Sequence, residues 1–185
     1  MLPATIPSPI MASARKYRLI ALGYNATVCP GTSRGLSQNG SVPISISRSY
    51  NVFVFNPDGS LKKYSTFDVY GSTAQADAMA AYLNALPIGT MVAVASHDEP
   101  QANRLTTNLY TAMRRCGAST TVYGKSAFYY RSAYVLIGKV SGTAGTSNEW
   151  YSGVYDADVN ATPFTTVNKV DTVDIVKITA MIPIA

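Results

Sequence analysis

The chain has a single histidine, His97. It stands in Ser96-His97-Asp98-Glu99 at the end of an apolar run, where loops that follow strands often carry functional groups. Paired with Asp98, or with a serine nucleophile, it would serve as a general base. The sequence has no Gly-x-Ser-x-Gly elbow, and no second histidine could complete a metal site. His97 therefore reads as a loop histidine in a turn that leads into a helix. Asp98 and Glu99 are the nearest approach to the carboxylate pair of a glycosidase, which must flank a bond from two sides. Adjacent in sequence and ahead of a helical stretch, they read better as partners of a helix dipole. Asp68, Asp156 and Asp158 have no spacing that singles them out. Gly138-Lys139 lacks the preceding glycines of a phosphate loop. No catalytic residue, metal or cofactor is expected, and a polysaccharide-acting hydrolase using Asp98 or Glu99 is kept as an alternative.

Recognition without chemistry has a denser signal in Phe128-Tyr129-Tyr130-Arg131-Ser132-Ala133-Tyr134. Aromatic faces stack on sugar rings, and an arginine beside them donates several hydrogen bonds to hydroxyls. The same alternation also suits a strand whose aromatics face the core, and the residues alone leave both readings open.

Composition narrows the classes. Of 185 residues 47% are apolar, enough for a core, while only 14% are charged, against ~25% for an average soluble domain. Thirteen tyrosines, with Ser, Thr and Asn, take the place of charge, which suits a protein packed against neighbours or one that binds uncharged ligands. The net charge of +5 is scattered, with only Arg15-Lys16, Lys62-Lys63 and Arg114-Arg115 as pairs, so nucleic acid is not an expected partner. No apolar run approaches the ~18 residues of a membrane span, and the first ten residues, with Pro3, Pro7 and Pro9, do not read as a signal peptide. Two cysteines, Cys29 and Cys116, are too few for a disulfide framework. One bridge between them stays open, although a buried free thiol at Cys116 reads better.

Positioning these residues takes an ordered set of elements. Residues 1–14 read as an extended, proline-rich arm held by a partner or by the domain itself. Residues 15–41 hold a strand, Tyr17 to Val28, and a loop. Asn51–Phe55 and Leu61–Phe67 flank Asn56-Pro57-Asp58-Gly59 and predict a β-hairpin, proline presetting the turn and glycine supplying its positive dihedral. Ser72 with Gln75 predicts a helix start, and Met79, Tyr82, Leu83 and Leu86 give it one apolar face. Thr90–Ser96 reads as a buried strand. Leu105, Leu109, Ala112, Met113 and Cys116 stripe a second helix that Gly117 ends. Thr120–Tyr123 and Ala133–Val140 read as two further strands. The expected class is α+β: a compact β-sandwich-like sheet packed with two helices over residues 42–142. Residues 143–185 are expected to form a C-terminal β extension that completes the sheet or pairs with a neighbouring chain.

Several of these segments together resemble the interleukin-like EMT inducer, or pancreatic-derived-factor-like, domain. The similarity runs through Ser49-Tyr50-Asn51-Val52-Phe53-Val54-Phe55-Asn56, the turn Asp58-Gly59 and Phe67-Asp68-Val69-Tyr70-Gly71. It continues through Leu86–Val92, His97-Asp98-Glu99, Met113–Ser119 and Arg131–Lys139, about half of the chain. The resemblance implies a non-catalytic domain, found in secreted cytokine-like proteins, in the stem of a Golgi O-mannose N-acetylglucosaminyltransferase and in phage tail or fibre proteins. In the transferase stem a sugar is held by an aspartate after the central strand and an arginine before the last core strand. Those positions match Asp98 and Arg131, with Tyr130 and Tyr134 beside them as further carbohydrate-binding candidates. Tyr134 replaces the family's Trp or Phe, and Tyr129-Tyr130 replaces a glycine-aromatic pair on a longer loop. The secreted members carry paired disulfides, which this chain lacks. The low charge and proline-rich arm then favour a virion protein of a phage tail or fibre. Such a protein would have other tail proteins and copies of itself as partners and host surface glycan as a ligand. A secreted, extracellular cytokine-like or glycan-binding module is the alternative.

Overall fold

The turn at Asn56-Pro57-Asp58-Gly59 closes as its residues dictate. Gly59 sits at φ 77°, its N–H donates to the Asn56 carbonyl at 2.9 Å, and Ser60 N–H donates to the Asp58 carboxylate. The computed structural model describes residues 17–23, 35–38, 44–124, 130–151 and 172–174. The proposed arm at 1–14, Cys29, Phe128, Tyr129 and most of the C-terminal extension lie outside the described residues.

The strands are β1 (Tyr17–Ile20), β2 (Leu22–Gly23), β3 (Gly35–Gln38), β4 (Ser49–Phe55), β5 (Leu61–Phe67), β6 (Met91–Asp98), β7 (Tyr134–Lys139), β8 (Asn148–Tyr151) and β9 (Thr172–Asp174); the helices are α1 (Thr73–Asn84) and α2 (Thr107–Arg115). The main sheet runs β5-β4-β6-β7-β8 with antiparallel pairing, the short β2 adds to β6 in parallel, and β3-β1-β9 form a second, antiparallel sheet. The α+β class is therefore that of the folded chain.

Both faces of the main sheet are covered, which explains why β4, β6 and β7 read as nearly continuous apolar runs. On one face Tyr50, Val52, Val54, Val92, Val94, Tyr134 and Leu136 meet Ala76, Met79 and Leu83 of α1 and Leu109, Ala112 and Met113 of α2. On the other, Phe53, Phe55, Met91, Ala93, Ala95 and Val135 share a cluster with Tyr17, Leu19 and Leu36 from β1 and β3. The sandwich-like part of the fold is this back face.

Helix ends follow local chemistry. Ser72 Oγ accepts from Gln75 N–H at 3.3 Å. At the end of α2, Gly117 N–H donates to Arg114 O and Ala118 N–H to Met113 O, the paired bonds of a glycine-ended helix, with Gly117 at φ 97°. Arg115 reaches across to the end of α1 and donates to the carbonyls of Leu83 and Leu86 at 3.0 and 2.8 Å. Cys116 is a free, buried thiol in the core, and loss of hydration pushes its pKa up to about 12.

Four expectations are corrected. Thr120–Tyr123 is a turn, because Ser119 Oγ accepts from Val122 N–H and offers the backbone a local partner in place of a ladder. Leu105 is exposed and precedes α2 rather than lining it. The stretch from Tyr17 breaks at Ala21 into β1 and β2. Asp98 and Glu99 do not lead α2, which starts at Thr107; they end β6 and open the loop after it.

Candidate functional site

At one end of the main sheet the strands part. β7 pairs with β6 only as far as Ala95, while β4 still pairs with His97 on the other side. On the edge that β7 vacates, β2 takes up His97 and Asp98 in parallel. Ser96 Oγ accepts Tyr134 N–H at 2.8 Å where β7 leaves. The chain segment that carries Tyr130, Arg131 and Ser132 therefore ends beside the tip of β6.

This split brings Asp98 and Arg131 together. Arg131 Nε lies 3.7 Å from Asp98 Oδ1, with the side chains 30% and 17% exposed, and the guanidinium lies over the Tyr130 ring, 5.0 Å from its centre. Both residues hold left-handed backbone, Asp98 at φ 64° and Arg131 at φ 57°, a conformation uncommon outside glycine. Ser49 and Asn103, at the same end of the sheet, do likewise, at φ 66° and 58°. Such clustering is typical of sites whose geometry the surrounding fold imposes.

Tyr134 is placed differently from the other candidates. Its ring is fully buried against Tyr50 and Tyr123, and its hydroxyl donates to Glu149 Oε1 at 2.6 Å. It supports the site from within the core and has no face to offer a ligand. The core-facing reading of the aromatic run is thus right for Tyr134, while Tyr130 stays at the surface beside Arg131. His97 belongs to β6 rather than to a loop.

Four residues of this end, Arg48, Asp68, Tyr70 and Asn51, were given no role by sequence. Arg48 donates twice to Asp68, through Nε at 3.1 Å and through a second, shorter bond. It lies 5.0 Å over the Tyr70 ring, and 48% of its side chain is exposed. Asp68 holds this guanidinium more firmly protonated, and the charge of Asp98 adds to the effect. Buried Asn51 fixes the strand entry that presents Arg48, accepting from Ser47 N–H at 2.9 Å and donating to Ser47 O at 2.7 Å. The only forward signals for Arg48 were its distance from Asp68 across the hairpin and the polar Asn51 inside an apolar strand.

The loop after β6 is pinned from beneath. Tyr50 Oη donates to Pro100 O at 2.7 Å and Tyr123 Oη to Arg104 O at 2.9 Å. Glu99, only 1% exposed, accepts N–H groups from Gln101 and, at 3.0 Å, from Arg131. Loss of hydration raises its pKa, opposed by the backbone N–H groups of Gln101, Arg131 and Ala102, with Asp98 adding to the rise. The result is a surface on which two arginine–carboxylate pairs, each with a tyrosine under the guanidinium, alternate donors and acceptors. That arrangement suits a polyhydroxylated, uncharged ligand, since each positive charge already faces a negative one. Among the described residues no group of three His, Cys, Asp or Glu could hold a metal ion, and no helix is long and apolar enough to cross a membrane.

No curated protein matches the chain. A family model described as interleukin-like EMT inducer matches residues 48–142, a span that begins at Arg48 and takes in Asp68, Tyr70, Asp98, Glu99, Tyr130 and Arg131. Over half its length, and with all of these residues inside the match, the chain belongs to the interleukin-like EMT inducer family.

Proposed function

We propose that the protein is a non-catalytic saccharide-binding module, with Asp98 and Arg131 as the contacts to sugar hydroxyls and Arg48 and Tyr130 beside them. The observation that carries this reading is the approach of Asp98 and Arg131 to 3.7 Å at the parting of β6 and β7. An acceptor and a donor set side by side can engage neighbouring hydroxyls of one sugar ring. A hydrolase reading is weakened by Glu99: the carboxylate next to Asp98 is buried and bonded to backbone N–H groups, so it cannot flank a scissile bond. A glycan array should give hits for the full chain that Asp98→Ala and Arg131→Ala each remove, with affinity falling at least ~10-fold, about 1.4 kcal/mol. An array blank for the full chain would overturn the saccharide reading.

The setting we propose is a phage tail or fibre, with other tail proteins and further copies of the chain as partners and host surface glycan as the ligand. Low charge supports it, as does Cys116, whose free, buried thiol does not fit a secreted domain stapled by paired disulfides. Mass spectrometry of purified virions should detect the chain at a stoichiometry comparable to known tail components. A secreted extracellular module would instead be absent from particles and present in culture medium.

A further inference from the structure

We infer that Glu99 is the positioning residue of this site: its buried carboxylate ties the Asp98 turn to the Arg131 turn and thereby sets the distance between the two ligand-facing side chains. The inference rests on the saccharide reading for its consequence, but its structural part stands on geometry alone. One carboxylate oxygen accepts Gln101 N–H, in the loop that Asp98 opens; the other accepts Arg131 N–H at 3.0 Å. These two loops flank adjacent strands just where the β6–β7 pairing ends. Both flanking residues, Asp98 and Arg131, hold left-handed backbone. Such conformations persist only where the surroundings over-determine them, and the Glu99 bridge meets one residue in the peptide bond before it and the other at its amide.

The placement of Glu99 excludes the usual role of a surface glutamate. It is 1% exposed, and a buried carboxylate is retained at a cost in hydration unless its bonds serve a purpose. The neighbouring groups are accounted for: the Asp98 charge lies next in sequence, buried Arg104 lies on the same loop, and Tyr50 Oη is engaged with Pro100 O. His97 O accepts Glu99 N–H at 2.9 Å.

The test uses the full chain with Glu99→Gln and Glu99→Asp. Glutamine has one acceptor oxygen and can serve only one loop; aspartate keeps the charge but is a methylene shorter. Amide hydrogen exchange should show Gln101 or Arg131 losing protection by at least ~10-fold in Glu99→Gln, while amides of β4 and β6 keep theirs and report an intact fold. Affinity for the strongest array glycan should fall by a similar factor, with partial recovery in Glu99→Asp. Unchanged protection of both amides would overturn the bridge. Lost protection with unchanged affinity would overturn its role in binding. A full chain that binds no glycan would defeat the saccharide reading, while the exchange result would still decide whether Glu99 joins the loops.

Discussion

The charge on Glu99 has a consequence for stability that runs against intuition for an acidic residue. Its pKa in the folded chain is raised above the ordinary 4.5, chiefly by lost hydration. Between the unfolded and folded values the native state holds a proton that the unfolded chain has released. Stability from this group is therefore full below the unfolded value and is lost as pH rises through the folded one. Urea midpoints should fall as pH is raised from mildly acidic towards neutral, and Glu99→Gln should flatten that slope. An identical slope in the variant would mean that other carboxylates set it. Ionised, Glu99 weakens the fold while its oxygens hold the loops, a trade often met where a site demands a buried charge. Sequence marked Asp98 and Arg131 through family resemblance, but the meaning of Glu99 was hidden. Its partners are backbone N–H groups of residues two and thirty-two positions away, and backbone donors leave no trace in residue identity. The side that Tyr134 faces stayed open in the sequence for a related reason. Alternation says that neighbouring strand residues face opposite sides, but both sides of this sheet are buried.

At the scale of elements, local chemistry was legible and packing partners were not. The hairpin, both helices, β6 and β7 were readable from periodicity and turn residues, because proline, glycine and capping serine act within a few positions of themselves. β8 lies within the extension expected to complete the sheet, but nothing local fixed its place: Asn148–Tyr151 lies in a stretch rich in Gly, Ser and Thr, and it becomes a strand by pairing with β7. Its approach is possible because of Gly138 on β7. A Cβ there would stand 2.2 Å from the Cys116 carbonyl and 2.9 Å from Ser147 Cβ, so the end of α2 and the entry to β8 both close over that glycine. A backbone atom cannot swing aside as a side chain would. Gly138→Ala should therefore destabilise the chain by on the order of 2–3 kcal/mol, read as a lower urea midpoint. Since Gly138 lies in the half of β7 away from Asp98 and Arg131, glycan affinity of the folded fraction should not change. A variant as stable as the parent would show that α2 and β8 close less tightly than these distances require.

For the whole molecule, the stretch from 42 to 142 that periodicity marks out as the core domain is short of its own back cover. Phe53, Phe55, Met91, Ala93, Ala95 and Val135 share their cluster with Tyr17, Leu19, Ala21 and Leu36 as well as Ile46, and the first four precede residue 42. Tyr17 further fixes the hairpin, its hydroxyl donating to Gly59 O at 2.9 Å and its ring meeting Phe55 edge-on at 5.2 Å. Burying a large apolar side chain stabilises by roughly 1.5–3 kcal/mol. Tyr17, Leu19 and Leu36 together then contribute on the order of 5–9 kcal/mol, a sum comparable to the ~5–15 kcal/mol total of an ordinary domain. The strand signal at Tyr17 was readable, but a strand pattern announces a buried face without saying which sheet it will cover. A chain that begins at residue 42 should accordingly bind a hydrophobic dye and lose the sharp urea transition of the full chain. Adding back a peptide that spans β1 to β3 should restore the transition in proportion to its occupancy. Cooperative unfolding of the shortened chain at the full chain's midpoint would mean that this face tolerates water. The first strands would then be free to serve a neighbour in an assembly, instead of closing the domain that carries the Asp98–Arg131 site.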